Sequence, residues 1–353
     1  MIEDAQALFD WKQRAARQKQ GRTVLDLEAD SLHRHREKLC LIQYADEEEG
    51  VCIIDPLAIE DMSLFTLWLQ EADVWMHGAD YDMSLFQGAY GVLPHMILDT
   101  QIAARLVGFR QFGLAALVEH YYGIVLSKKN QKADWGKRPI PPAMQEYAQG
   151  DVKYMLEMAD KLVAELQSKG RYEWFLESCA ANLQHGRERF LAANDEPWRI
   201  RGCGKFNPRG LAALRAMWTW RDREAAAIDR PCFMICSNDE LLRWSLALQE
   251  FRPVFPGRNM HTHRAARFRK AVEHFQLLDE EDYPRQPKRE HHEPDPHFEQ
   301  RLEHWQSKRN ALAAELDIDN ALIASRAQLE AVATDEAAGL SKLMQWQRDL
   351  LTR

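Results

Sequence analysis

The most constraining feature of the sequence is a short apolar run that carries two acids. The run T-V-L-D-L-E-A at 23–29 alternates and is rich in apolar residues, which predicts a strand. Side chains two residues apart on a strand leave from the same face, so Asp26 and Glu28 share one face, and Leu25 and Leu27 share the other. Two carboxylates on one face of a buried strand are costly unless a cation offsets their charge. The run therefore predicts a divalent metal site.

Two further carboxylates lie where they can join this pair. Asp82 begins a predicted helix directly after the short strand-like run at 73–78. Tyr147 and Asp151 are four residues apart on a periodic segment at 142–166 that predicts one long helix, so they share a face. Any single acid is typical of a solvated surface. Together they predict a site rich in oxygen ligands, which suits Mg²⁺ or Mn²⁺.

The order of the predicted elements divides the chain. Strand patterns at 22–30, 38–45 and 50–55, followed by mixed strands and helices, predict a mixed α/β sheet, whereas strand signals are lost after about residue 203. A length of 353 residues allows two or three domains. We predict an α/β domain over 1–197, a helical domain over 203–280, a charged, Pro-containing linker over 281–298 and a second helical segment over 299–353.

A basic loop at 127–138 precedes the long helix. It carries an aromatic residue, Trp135, among cations that include Lys128, Lys129, Lys132 and Arg138. Cations for phosphates and a ring for stacking suit a single nucleic-acid strand. The pattern fits a solvated loop with Trp135 in the core equally well. The net charge of −8 argues against a generally basic nucleic-acid binder, but a carboxylate-rich metal site contributes negative charge that cations neutralise.

Several classes of protein are disfavoured by sequence features. No apolar run reaches the length of a membrane span, and the N-terminus has early acids rather than the pattern of a signal peptide, so we expect a cytoplasmic protein without a membrane partner. No P-loop pattern occurs, and no nucleotide cofactor is expected. The six cysteines predict reduced thiols, and Cys232 and Cys236 lack a second pair at zinc-site spacing.

The stretches that carry these acids resemble the ribonuclease D family, within the four-acid exonuclease superfamily and its tyrosine-containing subclass. The matching stretches are VLDLEAD with Asp26 and Glu28, HGADYDMSLF with Asp82, and EYAQGDVKYML with Tyr147 and Asp151, supported by LDTQIAARL and KADWGKRPIP. The resemblance covers roughly residues 20–190. One departure is Gly78, where the superfamily often has Asn.

The helical segments resemble the helicase-and-ribonuclease-D C-terminal domain, or HRDC domain. The resemblance is carried over 203–280 by WRIRG just before it, by LRAMWTWRDREAA and by NDELLRWS, and 299–353 resembles a diverged second copy. The implied fold is a ribonuclease H-like 3′–5′ exonuclease domain, with a mixed sheet flanked by helices, followed by one or two all-α HRDC-type domains.

The resemblance also implies a function, namely a metal-dependent 3′–5′ exoribonuclease that releases nucleoside 5′-monophosphates with two Mg²⁺ or Mn²⁺ ions. Asp26 would bridge both ions, Glu28 and Asp151 would complete the site of the attacking water, and Asp82 would hold the other ion. Tyr147 would orient the water.

The expected partner is RNA with a free 3′ end, such as a tRNA precursor, bound by a monomer. We expect RNA contacts from the basic loop and from Leu27 and His77. Two alternatives stay open, a 3′–5′ DNA exonuclease and a non-catalytic RNA-binding protein.

Overall fold

The structure is a computed structural model that describes residues 1–18, 21–48, 50–191, 196–257, 260–286 and 295–353. The chain forms two compact units. The first comprises Met1–Ala29, Leu39–Ala192 and Glu293–Arg353, and the second comprises Asp30–Lys38 and Ala193–His292. Within the described ranges, no helix is both long enough and apolar enough to cross a membrane.

The first unit is built on a mixed sheet. Its strands are β1 (Thr23–Ala29), β2 (Leu39–Asp46), β3 (Gly50–Ile54), β4 (Asp73–Met76) and β5 (Met96–Asp99). The order is β3-β2-β1-β4-β5. The pairs β1–β2 and β2–β3 are antiparallel, whereas β1–β4 and β4–β5 are parallel. The predicted mixed α/β sheet is confirmed, with β1 at its centre.

Helices flank both faces of this sheet. In chain order they are α1 (Ala5–Ala15), α2 (Ser63–Glu71), α3 (Asp80–Tyr90), α4 (Thr100–Val107), α5 (Leu114–Tyr122), α6 (Pro142–Lys153), α7 (Met155–Ser168) and α8 (Tyr172–Leu191). Pro142 is the first residue of α6, as expected for a proline in the first turn of a helix.

Side chains of β1 alternate between the two faces of the sheet and so enter two different environments. Leu25 and Leu27 pack into a core with α1, α2 and α3, where Trp11 and Phe65 are buried. Val24, on the other face, belongs to the core of α4, α7 and α8. Helix α6 lies against β1, β2 and β3. The acids of β1 therefore face α6 rather than the core of α1 to α3.

The segment 142–166, predicted as one helix, is two helices. The helical ladder breaks at Tyr154, which ends α6 and precedes α7. Helix α6 packs on β1, β2 and β3, whereas α7 packs on β1, β4 and the helices α4, α5 and α8. A straight helix cannot follow the twisted sheet from β3 across to β4, so the tertiary packing overrides the continuous periodicity.

The second unit is helical, in agreement with the predicted HRDC-type fold. It contains α9 (Pro208–Ala227), α10 (Asn238–Gln249) and α11 (Thr262–Gln276). The ring centroids of Trp220 and Phe268 lie 5.1 Å apart in its core, and Trp244 packs edge-on to both rings. Ser237 and Glu240 form a capping box that starts α10.

The C-terminal helices share the hydrophobic core of the first unit. They are α12 (Phe298–Leu316), α13 (Asn320–Ile323), α14 (Arg326–Thr334), α15 (Glu336–Ser341) and α16 (Gln345–Thr352). Trp346 stacks on Trp174 of α8 with ring centroids 4.9 Å apart. The Glu177 carboxylate accepts hydrogen bonds from the backbone N–H groups of Gln345 and Trp346. The boundaries proposed for four separate segments stay a prediction, and residues 287–294 of the predicted linker lie outside the described residues.

Candidate active site

Two of the predicted metal ligands lie on β1. Asp26 is paired with Gln43 and Glu28 with Leu41 on the antiparallel strand β2. Both acids are partly buried. Leu27, which lies between them, is only 7% exposed and packs into the opposite core. The pleat of the strand thus gathers both carboxylates on the face covered by α6.

The backbone of Leu27 holds two acids in place. Its N–H hydrogen-bonds the carboxylates of Asp26 and Asp82, which lowers the pKa of each against the larger effect of burial. Leu27 is predicted to contact the substrate, but its side chain points into the core. Leu27 could therefore contact a substrate only through its own backbone atoms.

Asp82 is positioned by the turn between β4 and α3. It lies in the first turn of α3 and is 8% exposed. The Asp99 carboxylate accepts hydrogen bonds from the N–H groups of Gly78 and Ala79 at 2.9 and 3.0 Å, and from Gln101 at 2.7 Å. Asp99 thus caps the start of α4, and the same carboxylate holds the turn before Asp82.

The geometry of this turn favours Gly at position 78. Its φ of +67° lies in the left-handed region, and a Cβ atom would lie 2.9 Å from Nε2 of Gln101. A side chain at this position would be strained by the positive φ, and the amide end of Gln101 would have to move. The local backbone therefore suits Gly, and it is also a conformation that Asn tolerates better than most residues do.

Tyr147 and Asp151 come from one face of α6. They are hydrogen-bonded to each other through their side chains, and both are partly buried. The ring of Tyr147 packs against Trp135 with ring centroids 6.0 Å apart. The structure thus brings Tyr147 and Asp151 together as the helical spacing predicts.

The four acids interact electrostatically. Burial raises the pKa of Asp26 to about 6, and burial followed by the charge of Asp26 raises that of Asp151 to about 7. The pKa of Glu28 rises to about 10, first from burial and then from the other three acids. The pKa of Asp82 is also raised, by burial and then by Asp26. The four carboxylates therefore lie close enough at one site for the charge of one to disfavour the ionisation of another.

This donor set fits hard divalent cations. It consists of carboxylate oxygens, the ligands that Mg²⁺ and Mn²⁺ prefer, and a cation would relieve the repulsion among them. Among the described residues, no three of these acids bring one oxygen each within 4.8 Å of one another.

His77 has one nitrogen bonded and one free within the described structure. Thr100 donates its hydroxyl to the carbonyl of Met76, so Nδ1 of His77 donates to Thr100 Oγ1 at 2.9 Å. Nε2 is then an acceptor, and it is buried with no protein hydrogen-bond donor among the residues that the structure describes. Burial lowers the pKa of His77, which keeps the ring neutral. A hydroxyl or amine of a substrate would satisfy this nitrogen.

A groove opens beside Tyr147 and Asp151. It has a volume of about 550 Å³, and its lining includes Lys129 and Asn130 of the basic loop. Lys128 and Lys132 are exposed on the same loop. The basic loop therefore lines the groove beside the Asp151 carboxylate through residues that include Lys129 and Asn130.

Trp135 and Arg138 differ in whether they can contact RNA, because Trp135 is buried and Arg138 is exposed. Trp135 is 1% exposed within a small core. The Arg138 guanidinium binds both carboxylate oxygens of Asp55 and the carbonyl oxygens of Trp135 and Cys40. The prediction that Trp135 contacts RNA is corrected, because its side chain is buried in the core. The loop therefore has Trp135 in the core, which is the alternative to a stacking contact that the sequence left open. The prediction for Arg138, which is an exposed residue, stays a prediction.

Gln43 is a candidate that the sequence reasoning missed. Its side chain is fully buried, and within the described residues neither Oε1 nor Nε2 has a hydrogen-bond partner. It lies directly across from Asp26, where side chains of paired strands are about 4.5–5.5 Å apart at Cβ. The signal was present as a polar residue on the acid-bearing face of the apolar run K-L-C-L-I-Q-Y-A.

Comparison with known families agrees with this geometry. A family model described as 3′–5′ exonuclease matches residues 1–167. This range contains Asp26, Glu28, Asp82, Tyr147 and Asp151. The matched range thus includes every element that contributes to the candidate site.

Curated relatives extend the match. The chain is 33% identical over 228 residues to ribonuclease D of Cronobacter turicensis, which covers 64% of this chain and 60% of that protein. It is 30% identical over 324 residues to ribonuclease D of Haemophilus influenzae, which covers 89% of this chain and 79% of that protein. The match with the first of these relatives therefore spans about 60% of the relative's length.

A solved structure is similar over the whole chain. The crystal structure of Escherichia coli RNase D superposes with a TM-score of 0.74 at 26% identity and covers 100% of this chain and 98% of that one. That protein is described as an exoribonuclease involved in structured RNA processing. The similarity therefore includes the helical C-terminal part as well as the sheet.

Proposed function

This chain belongs to the ribonuclease D family, and on that premise we propose that it is a 3′–5′ exoribonuclease that releases nucleoside 5′-monophosphates. One observation carries the proposal. Carboxylates from β1, α3 and α6 are near enough to raise one another's pKa. Such an arrangement is unfavourable for stability alone and suits a site that binds cations.

The four acids would hold two divalent ions, Mg²⁺ or Mn²⁺. Bound there, the ions would lower the pKa of the attacking water, orient the phosphate and stabilise the leaving oxygen. Asp26 is central, since its charge acts on Glu28, Asp82 and Asp151. That position supports its proposed role as the ligand shared by both ions.

Tyr147 would act as a hydrogen-bond donor. Burial and then the charge of Asp151 raise the pKa of its hydroxyl above the ordinary value. The hydroxyl therefore stays protonated at neutral pH and is a poor base. Its hydrogen bond to Asp151 holds it at the site, where it can orient the attacking water.

The groove beside α6 would receive the 3′ end of RNA. Lys129 lines it together with Tyr147 and Asp151, so a phosphate near the carboxylates would meet a cation. Because the similar Escherichia coli enzyme processes structured RNA, we extend the proposal to tRNA precursors or other structured RNA 3′ ends. We also propose that the protein acts as a monomer, in the cytoplasm and without a nucleotide cofactor.

Two competing functions predict different behaviour. A DNA exonuclease would use the same acids on a deoxyribose strand. A non-catalytic RNA-binding protein would bind without cleaving, although all four acids and Tyr147 are present. Relative rates on matched RNA and DNA strands separate the first from our proposal, and binding without cleavage identifies the second.

The proposal is tested by degradation of a 5′-labelled single-stranded RNA with Mg²⁺, with Mn²⁺ and with EDTA. We expect a ladder that shortens from the 3′ end, requires metal and is lost in Asp151→Asn. Asp80→Asn is the matched control, since Asp80 is an exposed acid on α3 that pairs with Arg189. An intact RNA under every metal condition would overturn the proposal. A ladder that forms only with a matched DNA strand would show that the substrate is DNA rather than RNA.

A further inference from the structure

A second cluster of potential metal ligands lies in the helical unit. His35 comes from the segment 30–38, Asp222 from α9, and Cys232 from a short 3₁₀ helix that follows α9. One ligand atom from each residue lies within 4.8 Å of the other two. His35 Nε2 is 2.8 Å from Asp222 Oδ1, and Cys232 Sγ is 3.7 Å from the same oxygen. Nearly two hundred residues of sequence separate His35 from its neighbours.

The arrangement does not suit nucleophilic catalysis. An activated thiol needs surroundings that stabilise the thiolate, but here the atom nearest to the sulfur in the cluster is an oxygen of the Asp222 carboxylate, whose negative charge disfavours a thiolate. Burial, followed by Asp222 among other groups, raises the pKa of Cys232, although Arg221 opposes the rise. The thiol is therefore a poor nucleophile on its own.

The residue types are those of a zinc site. Imidazole nitrogen, thiolate sulfur and carboxylate oxygen are the ligands that Zn²⁺ uses, whereas Mg²⁺ and Mn²⁺ prefer oxygen alone. Zinc bonds of about 2.0–2.3 Å place tetrahedral ligand atoms roughly 3.3–3.7 Å apart. The Cys232–Asp222 separation already has this value, and the His35–Asp222 pair would widen by about half an ångström when the ion replaces the shared proton. One thiolate and one carboxylate would neutralise the ion.

Other contacts hold His35 in position. The carboxylate of Asp229 accepts a hydrogen bond from the backbone N–H of His35 at 3.2 Å and pairs with Arg34. Arg230 donates to the carbonyl of His33. The imidazole side chain is 12% exposed. The segment is therefore anchored to the end of α9 by contacts other than the His35–Asp222 hydrogen bond, which means that the ligands are preorganised.

We propose that His35, Asp222 and Cys232 bind one Zn²⁺ ion, with the fourth position taken by water or a small ligand. The site is separate from the four acids and does not depend on the proposed nuclease activity. It would join the segment that follows β1 in sequence to α9 through a metal rather than through one hydrogen bond.

The test uses the full chain after metal is removed with a chelator. Calorimetric titration with Zn²⁺ in excess Mg²⁺ measures affinity, and absorption spectra with Co²⁺ report sulfur ligation through a thiolate-to-cobalt charge-transfer band. We expect one strong Zn²⁺ site and a charge-transfer band. Cys232→Ser should abolish the band, and His35→Gln should weaken Zn²⁺ binding by about 100-fold or more. Cys203→Ser, at a partly exposed cysteine outside the cluster, is the matched control.

The outcomes are decisive in both directions. A band retained in Cys203→Ser and Asp151→Asn but lost in Cys232→Ser assigns the metal to this cluster rather than to the other cysteines or to the acids. No charge-transfer band in the wild type, or a band that survives in Cys232→Ser, would overturn the proposal. Circular dichroism checks the fold of each variant. If Cys232→Ser does not fold, His35→Gln decides, and an unchanged affinity in that folded variant would overturn the site.

Discussion

The hydroxyl of Tyr147 is hydrogen-bonded to the carboxylate of Asp151, one turn further along α6. This contact connects a proton donor to a proposed metal ligand. The ring of Tyr147 rests on Trp135, which is buried and held in place by the core around the basic loop. The phenol is thus positioned by packing and by a hydrogen bond together.

Replacement of Tyr147 by Phe removes the hydroxyl and keeps the ring. Because the packing on Trp135 survives, we expect kcat to fall by roughly 100-fold with little change in KM. Single-turnover and steady-state kinetics on a short RNA measure the effect, and thermal unfolding checks that stability is kept. A rise in KM with unchanged kcat would instead assign Tyr147 to substrate binding.

The buried acids make the metal-free protein sensitive to pH. The pKa of Asp151, about 7, exceeds that of an aspartate in the unfolded chain, so the folded state binds more protons between about pH 4 and 7. This contribution to stability is full below that window and is lost as the pH rises through it. We therefore expect Asp151→Asn to raise the melting temperature in EDTA more at about pH 8 than at about pH 5.

Scanning fluorimetry at the two pH values measures this difference. Excess Mg²⁺ should reduce it by stabilising the ionised acids of the wild type. Equal shifts of the melting temperature at both pH values would show that the carboxyl group of Asp151 titrates normally in the folded chain. Asp80→Asn, at an exposed position on α3, is the control variant for this comparison.

Gln43 offers a buried amide next to Asp26. We expect Gln43→Leu to leave the melting temperature unchanged or raised, since no described residue bonds the amide, and to lower activity by about 10-fold. The combination of kept stability and weakened Mn²⁺ affinity would identify a residue that positions Asp26. Unchanged activity and metal affinity would leave Gln43 as a core residue only. Leu41→Met, at the neighbouring position on the same face, controls for repacking.

Lys129 is the lysine of the loop that lines the groove beside Asp151. We expect Lys129→Ala to weaken RNA binding, with the slope of log affinity against log salt smaller by about 1 and kcat unchanged. Fluorescence anisotropy at several salt concentrations measures the slope. Lys137→Ala, at an exposed lysine outside the groove lining, serves as the control. An identical slope in both variants would remove Lys129 from the path of the RNA.

The sequence by itself determined the local elements of the site. The period of two in β1 assigned Asp26 and Glu28 to one face, and the helical spacing did the same for Tyr147 and Asp151. These properties depend on neighbouring residues alone, and sequence patterns report them directly. The mixed sheet and the helical C-terminal part followed from the same patterns.

Only the tertiary structure decided which distant groups meet. Periodicity does not reveal that Arg138 binds Asp55 or that Gln43 faces Asp26. The break at Tyr154 arises because α6 packs on β2 and β3, whereas α7 packs on β4 and on the helices α4, α5 and α8, although the local pattern is continuous.

The same holds for the contacts of Cys232. The sequence presents it beside Cys236 without a second pair of ligands, whereas the fold brings His35 and Asp222 to it. Local patterns determine the direction of a side chain, but the side chains that it contacts depend on how the whole chain buries its apolar surface.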